Sequence, residues 1–251
     1  MIAPVFHILR RELAAYLNTP IGYVFVVFFL LLSCSFYVFL ALFVEGVSDM
    51  RGFFSWIPIF FLIFVPAISM RLWSEDRKLG TLELLLTFPL RTWQAVLGKF
   101  LAGLLFLALT MLLTLHLPIV LDTYLRPENQ PGLDWGPVIG SYLGTLVLGM
   151  VYLSVGAFAS SLTGDQIVAF VIGATLNGVF FLIGFPPFVS WIRDFSSEWG
   201  PRTAEFVQRF GVSYHYDSIA RGVVDTRDIV YALTVTGFFL FLNHLVIERR
   251  R

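Results

Sequence analysis

Four histidines, His7, His116, His215 and His244, and one cysteine, Cys34, are the side chains best suited to nucleophilic, general-base or soft-metal chemistry. They are scattered, and no Cys/His spacing reads as a zinc site. The sequence holds no G-x-x-x-x-G-K-[ST] loop to cradle phosphates, no H-E-x-x-H, no G-x-S-x-G and no Gly-rich dinucleotide turn. Neither an enzyme activity nor a bound cofactor or metal is expected of this chain. The informative residues are charged. Arg71, Glu75, Asp76, Arg77 and Lys78 crowd one stretch, which must face water or protein. Gly80 should break a helix there. Thr81 can cap the next turn, with Glu83 near its positive end. Leu82, Leu85 and Leu86 form a short apolar face, and Pro89 stops it. The pattern fits a short amphipathic helix beside a membrane, serving either as a docking element or as a plain surface helix. Farther on, His215, Arg221, Asp225, Arg227 and Asp228 gather both signs of charge, which fits a salt-bridged lid or a structural cluster.

The elements that must carry these groups follow from composition. Of 251 residues 57% are hydrophobic and 14% charged. A soluble domain has roughly 25% charged residues, so lipid has to be part of the solvent. Equal numbers of basic and acidic residues, 17 each, argue against a nucleic-acid partner. A spanning helix needs about 20 apolar residues, and six such runs stand out, at 21–44, 53–72, 93–121, 138–162, 166–185 and 229–247. They are continuously apolar, unlike the alternating strands of a barrel, so helices satisfy the backbone. Pro118 should kink or end the third. The fold class is therefore an all-α membrane protein, one transmembrane domain over 1–251 with no internal repeat. The first run is too long for a signal peptide and has no cleavage site behind it, so no cleaved leader is expected. Arg10, Arg11, Arg71, Arg77, Lys78, Arg91, Lys99 and the Arg249-Arg250-Arg251 tail fall on one side, against Arg51 and Arg126 in the short loops of the other. The positive-inside rule gives N-in, C-in. The segment 2–17 places Phe6, Leu9, Leu13 and Tyr16 on one helical face, with Arg10, Arg11 and Glu12 largely elsewhere, and should lie in the interface. Asn18-Thr19-Pro20 should end it.

Polar residues inside the runs are Thr110, Thr114, His116, Thr175, Asn177, Asn243 and His244. They fit either a pathway or interhelix hydrogen bonds. Gly140 and Gly144 form a weak small-xxx-small motif. No charged residue is expected well inside a span. Between the last two runs, Pro186-Pro187, the apolar Phe188, Val189, Trp191 and Ile192, and a patch of Phe206, Val207 and Phe210 fit helices dipping into the outer leaflet or a folded external loop.

Three stretches together carry a resemblance: Pro66-Ala67-Ile68-Ser69-Met70-Arg71, Glu75-Asp76-Arg77-Lys78-Leu79-Gly80-Thr81-Leu82-Glu83-Leu84-Leu85, and Gly98-Lys99-Phe100. This region resembles the signature of ABC-2 type transporter permeases. Arg11-Glu12-Leu13, Asn18-Thr19-Pro20 and Tyr23 extend the likeness to the start. Tyr214-His215-Tyr216, Arg221-Gly222-Val223-Val224-Asp225 and Arg227-Asp228 are similar to the gliding-motility branch of that family. Ser69 and Phe88 depart from it, where Thr and a small residue are expected. The resemblance implies one half of a membrane dimer, in the inner membrane, worked by a separate ABC ATPase that holds the ATP and Mg. It implies a coupling helix between spans two and three, with Glu75, Asp76, Gly80, Thr81, Leu82, Glu83 and Leu84 as contacts. It also implies a pair of short external helices between spans five and six, and leaves room for a periplasmic auxiliary protein. A secondary transporter driven by an ion gradient, or an anchor that transmits force without transport, are the rival functions. The residues name no substrate.

Overall fold

The computed structural model describes residues 3–39, 50–87, 90–124, 132–195, 200–220 and 225–249. Among these residues every regular element is a helix. The chain opens with α1 (Ala3–Asn18) and α2 (Pro20–Tyr37), set at 68° to each other. Thr19 between them is extended (φ −103°, ψ 141°), and Pro20 opens α2, where its fixed φ suits a first turn and its missing N–H costs nothing. Gly22 is required by the bend, since a Cβ there would lie 2.0 Å from the Tyr16 carbonyl oxygen.

The face that α1 buries overlaps the one its spacing singles out, with Leu9 and Leu13 half-buried and Tyr16 buried, and departs from it at Phe6 and Ile8. Phe6 is 59% exposed, whereas Ile8 and Tyr16 are buried. Tyr16 stacks on Phe106 with ring centroids 4.8 Å apart and donates to the Ile68 carbonyl at 2.8 Å. Ile8 lies over Gly98, where a Cβ would come within 2.9 Å of it. Glu12 also turns inward, onto a buried lysine. An ion pair with a residue far along the chain thus adds Glu12 to a buried face that the apolar spacing picks out only in part.

Five stretches are long and apolar enough to cross a membrane. The first is α3 (Arg51–Ser69), running on into α4 (Arg71–Lys78), and the second is α6 (Thr92–Leu113) continued by α7 (His116–Tyr124). The others are α8 (Trp135–Leu162), α9 (Gln166–Gly184) and α13 (Thr226–Glu248). A sixth is counted only when α1 and α2 are taken together as one bent pair. The far end of the expected first span, 40–44, lies outside the described residues. The third expected span breaks at Thr114 and Leu115, just before Pro118. That proline has no N–H for the Thr114 carbonyl, and the Leu117 N–H takes it instead at 3.0 Å.

α8 is the central helix. It packs against α3, α4, α6, α9, α13 and α12 (Val212–Ala220). Its closest approaches are at Gly149, where a Cβ would lie 2.3 Å from Leu107, and at Gly156, where a Cβ would lie 2.0 Å from the Ser69 hydroxyl. Between α9 and α13 come three short helices rather than two: α10 (Pro186–Phe195), α11 (Gly200–Gln208) and α12.

Candidate functional site

Two polar clusters sit near opposite ends of α3. At its C-terminal end, α4 continues from Met70 and stops at Leu79. Gly80 has φ +70°, the left-handed conformation glycine adopts after a helix. α5 (Thr81–Thr87) then begins at once. The Thr81 hydroxyl donates back to Asp76 Oδ1 at 2.8 Å and so ties the start of α5 to α4. Leu82 and Leu85 are buried and seat α5 on the core. Leu82 therefore moves from the expected contact set to the residues that hold the helix in place. Leu79 and Leu84 are 67% and 63% exposed, Gly80 and Glu83 are exposed beside them, and nothing lies within 4 Å of where a Gly80 Cβ would be.

This turn rests on a charge cluster. Lys99, the eighth residue of α6, is 2% exposed. Its Nζ lies 2.9 Å from Glu12 Oε1 on α1 and 2.7 Å from Asp76 Oδ2 on α4. The ammonium also sits over the Trp73 ring at 5.2 Å. Arg71 pairs with Glu75 through two hydrogen bonds of 2.7 and 3.2 Å, and Arg11 pairs with Glu12 at 2.6 Å. Three cations meet three carboxylates, so the partly buried group is neutral as a whole. Burial works to raise the Asp76 carboxyl. The Lys99 charge and hydrogen bond, the Thr81 hydroxyl and Arg11 outweigh it and hold the group below its ordinary range. A cleft of about 250 Å³ opens between α1 and α4, with Arg11, Glu75 and Leu79 among the residues around it.

Lys99, expected as one of the basic residues at the end of the third span, is instead buried within the molecule. Its signal was present as one lysine within an otherwise apolar run, but its partners lie 87 residues back and 23 residues back along the chain. A second missed residue is Ser160 of α8. Its hydroxyl accepts from the N–H groups of Trp73 and Ser74, at 3.0 and 3.1 Å, and donates to the Met70 carbonyl at 2.7 Å. α4 has no side-chain cap of its own, so a different helix caps it and fixes it to the centre of the molecule.

Near the other end of α3, Tyr216 of α12 donates to the Phe54 carbonyl at 3.0 Å and lies 3.0 Å from the Thr145 hydroxyl of α8. His215 pairs with Asp228 at 2.8 Å. Asp225 caps α13, accepting from the Arg227 N–H, and Arg227 is exposed. Arg221 lies outside the described residues.

The polar residues within the spans are not brought together. Thr110 bonds the Phe106 carbonyl of its own helix. Thr114 bonds Met111 and reaches Tyr142 of α8 at 2.9 Å. His116 is exposed and lies against the Leu113 carbonyl. Thr175 is exposed, while Asn177 is buried and donates to the Tyr152 carbonyl at 3.2 Å. Asn243 is 1% exposed with no side-chain partner. His244 pairs with Glu248 one turn on, at 3.0 Å.

Several apolar helices of spanning length and a neutral, mostly apolar chain make this a multi-pass membrane protein. The model of the ABC-2 family transporter proteins matches residues 49–208, more than half of the chain, and the protein belongs to that family. It is a permease subunit by that membership, which implies an ABC ATPase as partner. No curated protein matches the chain.

Proposed function

We propose that this chain is one of two identical permease halves, and that α4–α5 is the coupling element that receives an ABC ATPase. The observation that carries this is the pair Leu79 and Leu84, both largely exposed on either side of Gly80. They flank a turn that follows the charged run Glu75-Asp76-Arg77-Lys78, which calls for water or protein around it. Two apolar side chains there cost hydration unless a protein covers them. The contact set is Leu79, Gly80, Glu83 and Leu84, with Glu75 at its edge. Asp76, Thr81 and Leu82 hold the turn in position. The Lys99 cluster and Ser160 make the seat stiff, so a push on α5 moves α1, α6 and α8 together as a rigid body.

In this reading the N- and C-termini are cytoplasmic and the membrane is the inner one. ATP and Mg are held by the partner. The chain falls in the gliding-motility branch, on the motifs around Tyr214-His215-Tyr216 and Arg227-Asp228, and its output is export or force delivered to a surface machine, with room for a periplasmic auxiliary protein. His215, Asp225, Arg227 and Asp228 form the outer closure. The test is ATP turnover in proteoliposomes. The chain alone should hydrolyse none, and with its ATPase the complex should turn over ATP in a manner lost on Leu84→Asp. Robust turnover by the chain alone would overturn the division of labour.

A further inference from the structure

His215 has two partners, and both are acceptors. Its Nδ1 lies 2.8 Å from Asp228 Oδ1, and its Nε2 lies 3.0 Å from the Arg209 carbonyl oxygen. A neutral imidazole has one N–H and one lone pair. In that form, one of the two contacts would set lone pair against lone pair. The doubly protonated ring satisfies both.

The surroundings fit a cation. Asp228 is 7% exposed, and its second oxygen accepts from the Ser218 hydroxyl at 2.6 Å. The ring lies flat on Tyr231, centroids 4.0 Å apart, and meets Tyr214 edge-on at 5.3 Å. α8 presents Val147, Leu148 and Val151 on this side, none of them titratable. Asp217, Asp225 and Arg227 share with His215 the rim of a cavity of about 460 Å³, giving two further acids against one further base. The Arg209 residue itself is exposed.

The contact joins separate elements. Arg209 and Phe210 form the turn just after α11, while Asp228 and Tyr231 stand in the first turns of α13. The Tyr231 hydroxyl donates to the Phe210 carbonyl at 2.6 Å. Two successive carbonyls just after α11 are thus held from α12 and α13. One is held by a phenol and the other by an imidazole, the side-chain type best suited to carry a proton-controlled charge.

We propose that His215 is a proton-operated latch: doubly protonated, it ties the turn after α11 to α13, and on losing a proton it gives up that tie and loosens α11, leaving the Tyr231 hydroxyl as the remaining hold. The part loosened, α10–α11, carries the exposed aromatic residues Trp191 and Phe206, so loosening would change how this end meets lipid or a neighbour. The inference rests on the reading of this end as the outer closure. The two can fail separately, because the latch responds to protons in the permease alone and the closure responds to nucleotide in the whole complex.

The latch is tested with the full chain in lipid nanodiscs, carrying Cys34→Ser and spin labels at Glu205→Cys and Val230→Cys, both exposed positions. Label distances are measured by pulsed electron resonance from about pH 5.5 to about pH 8.5, across the imidazole range. The expected result is one short, narrow distance at low pH and a growing longer population as pH rises. The short-to-long ratio should fall by up to about tenfold per pH unit, the limit for one linked proton. His215→Gln should abolish the pH response. Asp228→Asn should move it to lower pH, because the ring loses its counter-ion. Tyr231→Phe should lengthen the distance at every pH and keep the response. A parent protein indifferent to pH, or a His215→Gln protein that responds as the parent does, would overturn the latch. Adding the ATPase with ATP and vanadate at one fixed pH tests the closure. Distances that ignore nucleotide sink that reading whatever the pH series shows.

Discussion

Lys99 Nζ lies 2.7 Å from Asp76 Oδ2 near the C-terminal end of α4, with the lysine 2% exposed. A buried ammonium is costly unless paired, and this one is paired twice, since Glu12 holds it from the other side at 2.9 Å. One side chain of α6 thereby fixes both the opening helix and the α4–α5 turn.

Replacing Lys99 with Met should be strongly destabilising, because it keeps the volume and leaves Glu12 and Asp76 without their shared cation. Breaking one side of a buried pair costs about 3–5 kcal/mol. Thermal unfolding in detergent measures the loss. The double change Lys99→Met, Asp76→Asn should recover part of it, and a double mutant no better than the single would show that the pair is not coupled.

Asp76 makes the same cluster sensitive to acid. Its folded carboxyl titrates below the ordinary range. The stability it contributes is therefore complete above the unfolded value, near 4, and is lost as pH falls through the lower folded value. Unfolding temperature should drop more steeply below about pH 4 in the parent than in Asp76→Asn, although the variant starts lower at neutral pH. Parallel curves for the two proteins would refute this role.

Ser160 and Gly156 should matter for the joint between α3, α4 and α8. Ser160→Ala strips the acceptor from two buried amides and should cost about 1–3 kcal/mol. Gly156→Ala drives a methyl to within 2.0 Å of the Ser69 hydroxyl, an overpacking worth about 1–3 kcal/mol. Both are read as lowered unfolding temperature. In the assembled transporter, Ser160→Ala should also lower work done per ATP more than it lowers ATP turnover.

Leu82 and Leu84 provide a matched contrast, two residues apart on one helix. Leu82→Ala opens the core and should cost about 2–5 kcal/mol. Leu84→Asp changes an exposed position and should leave unfolding temperature within about 0.5 kcal/mol of the parent, while abolishing coupling to the ATPase. Equal destabilisation by the two changes would mean that Leu84 is not on a free surface.

Local backbone features were legible in the sequence. Pro20 starts a helix because its ring fixes φ, and Gly80 ends one because it alone takes φ +70° without strain. The long apolar runs reappear as α3, α6, α8, α9 and α13 for the same reason, since each is decided by neighbours along the chain. What stayed hidden depends on distant partners. The inward turn of Glu12 and the seating of Ile8 on Gly98 have no counterpart in the apolar stripe of α1. Lys99 read as one more basic residue near a membrane face, when it is the buried centre of the site. Ser160 looked like any serine in a span, because capping a helix 87 residues earlier leaves no local pattern. The doubly engaged ring of His215 likewise depends on distant partners, the turn after α11 and the start of α13.

The most direct measurement is photo-cross-linking from position 84. Leu84→p-benzoylphenylalanine is introduced into the full chain in its native membrane, irradiated, and the adduct identified by mass spectrometry. The predicted result is one adduct with a P-loop ATPase, lost on Gly80→Pro, which redirects the turn. An adduct confined to lipid, or to a second copy of this chain, would contradict the assignment of α4–α5 as the surface on which the motor sits.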